Sequence, residues 1–374
     1  MIRSGRIAGL LATCAAAVLL AAACGSAGSS SSGGGSGGQS DAQALGGQAA
    51  AQEMGNLYRQ AQQKGEKQVV VYGADVPALK TVYDTFSKRY PNIKVEGQLL
   101  TGTQFDTRLD NEFLSGKHTA DLLDIPGNAA WRTYSKKQLD PWMPASANGL
   151  KSDYQVIGPG NAWVTPYQKL NGILYNSDQI KQDQAPRSWM DLLQSKWRGK
   201  VVITDPRQIG ASSGVLVQLT YAKLVPETYI QQFHEQQPVV VPHAPQVAQK
   251  VGGGQSPLAI PYGVQSVVQD QRKGAPEGLA LNLKEGAQVA HSPVALVKGA
   301  AHPDAAKLLE AWMFTPEGQR ALASEGFYGT MPGSPAPKGF PSLSSLKQIP
   351  EPPPAEYDQV LNQGIKSVGT LWGA

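Results

Sequence analysis

Short apolar runs that are typical of buried strands alternate with amphipathic helical segments along this chain, and that alternation limits the fold most strongly. Residues 68–72 form a continuous, largely β-branched run (Gln-Val-Val-Val-Tyr), which is characteristic of a strand buried on both faces. Leu79, Val82, Tyr83 and Phe86 then recur at helical spacing. Because strands that alternate with helices form parallel β-α-β units, the sequence predicts an α/β fold.

The same two kinds of segment continue almost to the C-terminus. Predicted strands lie at 93–95, 120–124, 173–176, 200–203 and 258–260. Predicted helices lie at 41–64, from Thr101 onward, and at 189–193, 212–224, 303–314 and 316–323. Residues 349–355 are rich in proline, so we predict that this segment is extended.

The first residues of the chain predict export. Arg3 and Arg6 precede an apolar run over 7–23, whose last three residues are small alanines, and Cys24 follows directly. That order of charge, apolar core and small residues is typical of a secretory signal peptide. A cysteine at this point resembles the lipobox of bacterial lipoproteins, which implies that Cys24 carries acyl chains such as palmitate and anchors the protein to a membrane.

The lipobox departs from the usual pattern at one position. Lipoboxes usually have leucine three residues before the cysteine, where this chain has Ala21, and the nearest leucine is Leu20. Cys14 is a rival lipidation site, but Thr13 before it is a poor cleavage-site residue. The alternative is a plain membrane helix, for which the run 7–23 is short.

The segment after the cysteine predicts a flexible tether. Residues 25–40 are nearly all glycine and serine, a composition that behaves as a random coil with a reach on the order of 20 Å. Cys14 and Cys24 are the two cysteines of the chain, so cleavage before Cys24 would leave no disulfide in the exported domain.

The charge balance excludes one class of partner. The whole chain has 33 basic and 29 acidic residues, a formal charge of +4, and loss of Arg3 and Arg6 reduces it to +2. A nearly neutral domain gives no support to nucleic-acid binding. We therefore expect no nucleic-acid partner.

Several segments, in order, resemble the extracellular solute-binding proteins of ABC transporters, and the iron(III)-transport subgroup most closely. The resemblance covers roughly Leu57 to Pro332. It is carried by residues 58–72, 171–176, 186–193, 196–200, 205–206 with 213–214, 302–307 and 315–319. It implies a two-lobe periplasmic-binding-protein-like fold (type 2) with a ligand cleft between the lobes. It also implies hinge crossings near 163–166 and 279–281.

The resemblance also implies the organisation and the role of the chain. We expect a monomeric, lipid-anchored protein on the extracytoplasmic face of the cell membrane that captures a small anionic solute or metal complex and delivers it to an ABC permease. Neither catalysis nor a cofactor is expected. The expected boundaries are a signal peptide at 1–23, the lipidated cysteine and linker at 24–40, lobe 1 at 41–165, lobe 2 at 166–278, a return to lobe 1 at 279–345, and a proline-rich tail at 346–374.

Turns between predicted strands and helices supply the candidate ligand-binding residues. In open α/β sheets, ligands bind beyond the carboxyl ends of the strands, where helix N-termini present free N–H groups. The alternative for each turn is a purely structural role as an ordinary helix cap. Together with the resemblance, the turns predict a ligand set of Gly73, Ala74, Thr101, Gly102, Thr103, Ser212, Ser213 and Gly214.

Tyr262 raises the question of iron. Many iron(III)-binding members of the family have two adjacent tyrosines after the strand that here is 258–260, and phenolate oxygens suit a hard cation. This chain has Tyr262 alone, followed by Gly263, so we predict no direct metal binding. Tyr262 remains a candidate for contact with the solute, with a packed tyrosine as the alternative. His243 and His291 are interpreted as surface or structural groups.

A serine hydrolase is the alternative function. Residues 210–214 match G-x-S-x-G, the nucleophile elbow, which needs its serine on a sharp turn directly after a strand. Here Gly210 lies five positions after Asp205, near which the preceding strand ends. This spacing favours an ordinary helix-opening turn.

Overall fold

The computed structural model describes residues 35–151, 153 and 155–373. The predicted signal peptide, Cys24 and the linker up to residue 34 lie outside the described residues. Within them, the helices are α1 (Gly35–Ala44), α2 (Gln48–Lys64), α3 (Lys80–Arg89), α4 (Gly102–Ser115), α5 (Gly127–Ser135), α6 (Ala211–Tyr221), α7 (Tyr229–Glu235), α8 (Ala244–Gly252), α9 (Val264–Arg272), α10 (Pro303–Met313), α11 (Pro316–Ser324) and α12 (Pro354–Trp372).

The strands are β1 (Gln68–Gly73), β2 (Lys94–Leu99), β3 (Leu122–Asp124), β4 (Val164–Asn176), β5 (Val201–Thr204), β6 (Val239–Val241), β7 (Leu258–Gly263), β8 (Glu277–Ala280), β9 (Ala287–Leu296), β10 (Tyr328–Gly329) and β11 (Gln348–Ile349). Short 3-10 helices occur at Ala145–Ala147, Pro159–Asn161, Gln182–Gln184, Trp189–Leu193, Ser195–Trp197 and Leu343–Ser345. Segment 189–193, predicted as helical, is thus a 3-10 helix.

The strands form one continuous hydrogen-bonded network in the order β2-β1-β3-β9-β4-β7-β5-β6. β1 pairs in parallel with β2 and β3, and β5 pairs in parallel with β6 and β7. The predicted parallel units are therefore present at both ends of the sheet. Between them, β3, β9, β4 and β7 pair antiparallel. Each parallel end forms the centre of one lobe.

β4 and β9 connect the two lobes. The first part of β4 pairs with β9, from Val164 opposite Val294 to Asn171 opposite Gln288. Its last part pairs with β7 and with β8, where Ile173 lies opposite Ala280. Residues 279–281, where we predicted the return crossing to lobe 1, thus lie beside the C-terminal part of β4. The chain then continues into β9. The lobe boundaries remain predictions.

Each lobe has its own apolar core. In lobe 1, α2, α3, α10 and α11 cover one face of the sheet, and Trp312 packs there edge-on against Phe86 at 5.7 Å between ring centroids. In lobe 2, Trp189, Tyr229 and Phe233 are fully buried with the apolar residues of α6. Because the two cores are separate, β4 and β9 are the elements on which the relative position of the lobes depends.

The N-terminal part of the described chain differs from the prediction. The predicted helix 41–64 is broken at Gly46 and Gly47, which have φ values of 87° and 110°. These backbone conformations are open to glycine but strained for other residues, so α1 ends before them and α2 begins after them. The predicted coil at 35–40 is wrong, because these residues belong to α1.

The C-terminal part also differs from the sequence-based picture. Residues 350–353 are irregular, but residues 354–372 form α12, the longest helix among the described residues. Pro354 occupies its first turn, where a missing N–H costs nothing. No helix among residues 35–373 is long and apolar enough to cross a membrane.

Gly172 lies where β4 passes between β7 and β8, and a Cβ atom there would be 2.1 Å from the carbonyl oxygen of Ala280. We expect Gly172→Ala to lower the unfolding free energy by about 1–3 kcal/mol in urea denaturation, because the backbone must shift. Gly369→Ala in α12 is the matched control, since its Cβ would meet no atom within 4 Å. Equal losses in the two variants would contradict this reading of the β4–β8 contact.

Candidate functional site

A cavity of about 330 Å³ lies between the two lobes. Its walls come from both lobes, from the connecting strands and from the C-terminal segment. The lining includes Gly127 and Asn128 of α5; Gly210, Ala211 and Gly214 at α6; Lys169 and Asn171 of β4; Gln288 and His291 of β9; Gln155 and Gln265; and Glu351, Pro354, Tyr357 and Leu361. The cavity therefore occupies the interlobe position that the sequence predicts for a ligand.

Two helix N-termini face this cavity. α5 begins at Gly127, shortly after β3, and α6 begins at Ala211, after β5. Pro126 before α5 has extended backbone, and Ser213 closes the first turn of α6 by accepting a hydrogen bond from the Gly210 N–H at 3.0 Å. Because the first N–H groups of a helix lack intrahelical acceptors, these ends suit an anionic group.

Lys169 brings a positive charge to the cavity wall. Its Nζ donates to Oδ1 and Oδ2 of Asp75 at 2.9 and 2.7 Å. Ser292 on the neighbouring strand also donates to Asp75, at 3.0 Å. Burial opposes the charge of Lys169, but the charge and hydrogen bonds of Asp75 outweigh it and raise the pKa of the amine. Lys169 is therefore cationic and held in one position.

Asp124 completes this network one layer deeper. It is 2% exposed, and Tyr167 donates its hydroxyl hydrogen to it, with both carboxylate oxygens 2.7 Å away. Burial, and next the charge of Asp75, raise the pKa of Asp124 to about 8. Near neutral pH, Asp124 is mostly protonated, which leaves Asp75 as the counter-ion of Lys169.

Amide side chains supply most of the remaining polar lining. Asn171 and Gln288 lie opposite each other on β4 and β9, and Asn171 Nδ2 donates to Gln288 Oε1 at 3.1 Å. The side-chain oxygen of Gln265 is buried and has no hydrogen-bond partner among the described residues. Since an amide both donates and accepts, this lining can bind hydroxyl groups as well as anions.

His291 and Glu351 close the cavity at its C-terminal side. Nδ1 of His291 is paired with Oε2 of Glu351, which joins β9 to the segment before α12. The two side chains are 16% and 10% exposed. His291 was predicted to be a surface or structural group. It does make a structural contact with Glu351, but it also lines the cavity.

The residues predicted in lobe 1 lie apart from the cavity lining. Gly73 ends β1, and a Cβ there would be 2.2 Å from the carbonyl oxygen of Asp124, so glycine is required for the packing of β1 on β3. Ala74 follows it and precedes Asp75 of the lysine network. Thr101, Gly102 and Thr103 are exposed at the start of α4.

In lobe 2, the predicted serines are buried and use their hydroxyls within the fold. Ser212 Oγ accepts from the Thr204 N–H at 3.1 Å and donates to the carbonyl of Ile260 at 3.2 Å. Ser213 Oγ donates to the carbonyl of Gln208 at 2.8 Å. Of the predicted set, Gly214 lies in the cavity lining among the described residues.

These contacts give the hydrolase alternative no support. The would-be nucleophile Ser212 is 2% exposed. Among the described residues, its hydroxyl bonds with Thr204 and Ile260 instead of a histidine.

The hydroxyl group of Tyr262 also has a hydrogen-bond partner within its own lobe. Its hydroxyl donates to Asp270 Oδ2 at 2.5 Å, and its ring packs beside the small core of β5, β7 and α8. Burial and the bond to Asp270 raise the pKa of Tyr262, which opposes the phenolate form that a ferric site requires.

Sequence reasoning missed the lining residues on β4 and β9. One signal was present, because Lys169 and Asn171 occupy alternate positions beside the apolar residues of a strand and therefore point to the same face. Asn128 lies on α5, a helix that the sequence did not predict. Glu351 and Tyr357 belong to the C-terminal tail, for which no function was predicted.

The fold is similar to solved structures of periplasmic binding proteins. Iron-bound HitA from Pseudomonas aeruginosa has a TM-score of 0.65 at 19% sequence identity, over 81% of this chain and 99% of that chain. AfuA from Actinobacillus pleuropneumoniae, with exogenous fructose-6-phosphate bound, has a TM-score of 0.65 at 18% identity, over 81% and 99%. Apo ferric ion-binding protein A from Pasteurella haemolytica has 0.65 at 14% identity, over 82% and 98%. The predicted two-lobe fold is confirmed.

The amino-acid sequence shows which family the chain belongs to. The model of the family described as bacterial extracellular solute-binding protein matches residues 130–351, more than half of the chain. The chain belongs to this family. No curated protein sequence matches it. Membership means that this solute-binding protein acts outside the cytoplasm, with a solute as ligand and an ABC permease as partner, as the resemblance implied.

Asp124 gives the solute-binding protein a pH-dependent stability. Its folded-state pKa of about 8 lies above the ordinary 3.8, so its stabilising contribution is complete below the ordinary value and is lost as pH rises towards 8. We expect Asp124→Asn, which keeps an acceptor for Tyr167, to reduce the decline in unfolding free energy between about pH 5 and about pH 8, by at most about 1.4 kcal/mol per pH unit. Urea denaturation at several pH values measures this, and parallel pH profiles would refute it.

Proposed function

We propose that this solute-binding protein captures a small anionic solute in the interlobe cavity and delivers it to an ABC permease without catalysing a reaction. The observation that carries the proposal is the position of Lys169 on a strand that connects the lobes, within a polar cavity faced by two helix N-termini. A volume of about 330 Å³ is at the small end of the range for small-molecule sites.

The lining favours an anion that also carries hydroxyl groups. Lys169 and the first turns of α5 and α6 suit a phosphate or carboxylate, whereas Asn171, Gln288 and Gln265 suit neutral hydroxyls. AfuA, which has a similar fold, binds fructose-6-phosphate, a molecule of this kind. HitA binds iron, but the Tyr262 hydroxyl here donates a hydrogen bond to Asp270 and stays protonated, which argues against a free ferric ion as the solute.

A thermal-shift screen of the chain from residue 35 onward tests the proposal. The panel consists of sugar phosphates, inorganic phosphate, phosphonates, carboxylates, polyamines, ferric complexes and free ferric iron. We expect at least one hydroxylated anion to stabilise the domain, by about 2.7 kcal/mol at 100 times its dissociation constant. A panel without any stabilising anion, or one in which free ferric iron alone stabilises, would contradict the proposal.

A substitution at Asn171 tests whether the stabilising anion binds in the cavity. We expect Asn171→Ala to weaken binding of the stabilising anion about tenfold, because one polar contact and the orientation of Gln288 are lost. Asn282→Ala is the control, since Asn282 is an exposed amide outside the cavity lining. Isothermal titration of both variants measures the effect. Equal affinities would place the solute elsewhere.

We further propose that Cys24 is lipidated and that the protein works as a monomer tethered to the outer face of the membrane. The support is the order of the leader, with Arg3 and Arg6, an apolar run and small alanines before Cys24. A tether of this kind keeps a capture domain beside its permease. Stable anchoring requires more than one acyl chain, as lipoprotein processing provides.

Mass spectrometry of the protein from a bacterium that processes lipoproteins tests the anchor. We expect an acylated N-terminal Cys24, and we expect Cys24→Ser to be released from the membrane fraction. Cys14→Ser is the control and should remain anchored. An unmodified N-terminus in the unsubstituted protein would remove the anchor while leaving the solute-binding proposal intact.

A further inference from the structure

α12 is the C-terminal helix of the described chain, and it reaches both lobes. The family match ends at residue 351, and α12 begins at Pro354. The helix contacts α5 of lobe 1 and both α6 and α7 of lobe 2. Its Tyr357 and Leu361 also line the cavity between the lobes. α12 therefore spans the cleft in which the solute is proposed to bind.

The C-terminal half of α12 is fixed to lobe 2 by apolar packing. Val368 is fully buried in the lobe 2 core, with Leu371 and Trp372 packed against it. The Trp372 ring meets the His234 ring edge-on at 4.5 Å between centroids. A Cβ at Gly364 would be 2.3 Å from Val217 of α6, so the two helices lie in direct contact there. Separating these groups would expose apolar surface to water.

The N-terminal half of α12 meets lobe 1 mainly through one carboxylate. Asp358 Oδ1 accepts from Asn128 Nδ2 at 2.6 Å, and Oδ2 accepts from Arg132 Nη1 at 2.7 Å. The Arg132 and Asp358 side chains are 33% and 40% exposed. Arg132 also contacts Asp106 within lobe 1, at 3.2 Å. A half-exposed pair of this kind is weak and easily replaced by water.

Two smaller contacts accompany this ion pair. Gln155 donates to the carbonyl of Pro352 at 2.9 Å, and Pro354 lies so near the start of α5 that a Cβ atom at Gly127 would be 3.6 Å from it. Both are single contacts at the edge of the cavity. The attachment of α12 is thus unequal, because it is mainly apolar and buried on lobe 2 but mainly polar and partly exposed on lobe 1.

We propose that α12 is a latch carried by lobe 2, which holds the cleft closed through the bonds of Asp358 with Asn128 and Arg132. When these bonds break, the lobes separate along β4 and β9, and α12 stays with lobe 2. Because Asn128 lies in the cavity wall, Asp358 occupies a donor that also faces the solute. That the latch controls solute entry rests on the proposed function, whereas the latch itself rests on the contacts above.

Electron–electron distance measurement on the full chain in detergent tests the latch. The chain carries Cys14→Ser and Cys24→Ser, so that spin labels at Gln104→Cys in lobe 1 and Gln208→Cys in lobe 2 are the only ones. Both positions are exposed. We expect Asp358→Asn to raise the population at longer interlobe distance about fivefold, the factor given by an exposed ion pair near the top of its usual range.

Glu356→Gln is the matched control, because it removes the same charge from the same helix at an exposed position for which no ion pair is present among the described residues. Asn128→Ala removes a partner of Asp358 without altering α12, and we expect it to open the cleft as well. The latch is overturned if Asp358→Asn leaves the distances unchanged, or if Glu356→Gln widens them equally.

The distance measurement contains no solute, so it separates the latch from the proposed function. A longer distance in Asp358→Asn supports the latch even when the anion panel gives no stabilisation. A positive anion screen with unchanged distances supports the proposed function and overturns the latch.

Discussion

The antiparallel pairing of β4 with β9 is the contact on which the rest of the structure depends. These strands run from one lobe to the other, and their pairing extends from Val164 opposite Val294 to Asn171 opposite Gln288. The two apolar cores lie on either side and share little with each other. Polar residues that alternate along the two strands therefore face the gap between the lobes, and the site is built on the elements that hold the lobes together.

The charges at this gap are balanced by the surrounding fold. Lys169 is held by Asp75, while Asp124 behind them is largely protonated near neutral pH because burial raises its pKa to about 8. Because the carboxyl group of Asp124 stays protonated, it does not add a second negative charge beside the lysine. Asp75 follows β1 and Asp124 ends β3, and the carboxyl ends of these two parallel neighbours meet at one edge of the sheet. The topology thus sets the electrostatics of the site.

α12 adds a third connection between the lobes, and it differs in kind from the strands. β4 and β9 join the lobes through the backbone, whereas α12 joins them through side chains that can separate. Its hold on lobe 2 uses buried residues such as Val368, and its hold on lobe 1 uses Asp358. A helix attached so unequally can stay with one lobe while the other moves.

The sequence by itself determined the parts of the protein that depend on local periodicity. The strand at 68–72 and the helices predicted at 303–314 and 316–323 follow from apolar spacing and from Pro303 and Pro316 at helix starts. The two-lobe class follows from the resemblance to solute-binding proteins. Tertiary structure decided the site, because Lys169, Gln288 and Glu351 are far apart in sequence. The pairing of β4 with β9 brings Lys169 and Gln288 together, and Glu351 joins them through its contact with His291. It also decided the C-terminal helix, since its prolines lie before the helix and in its first turn, and its buried residues are selected by contact with lobe 2. Local patterns fix which segments are helix or strand, but a binding surface made by separate segments exists only once they pack together.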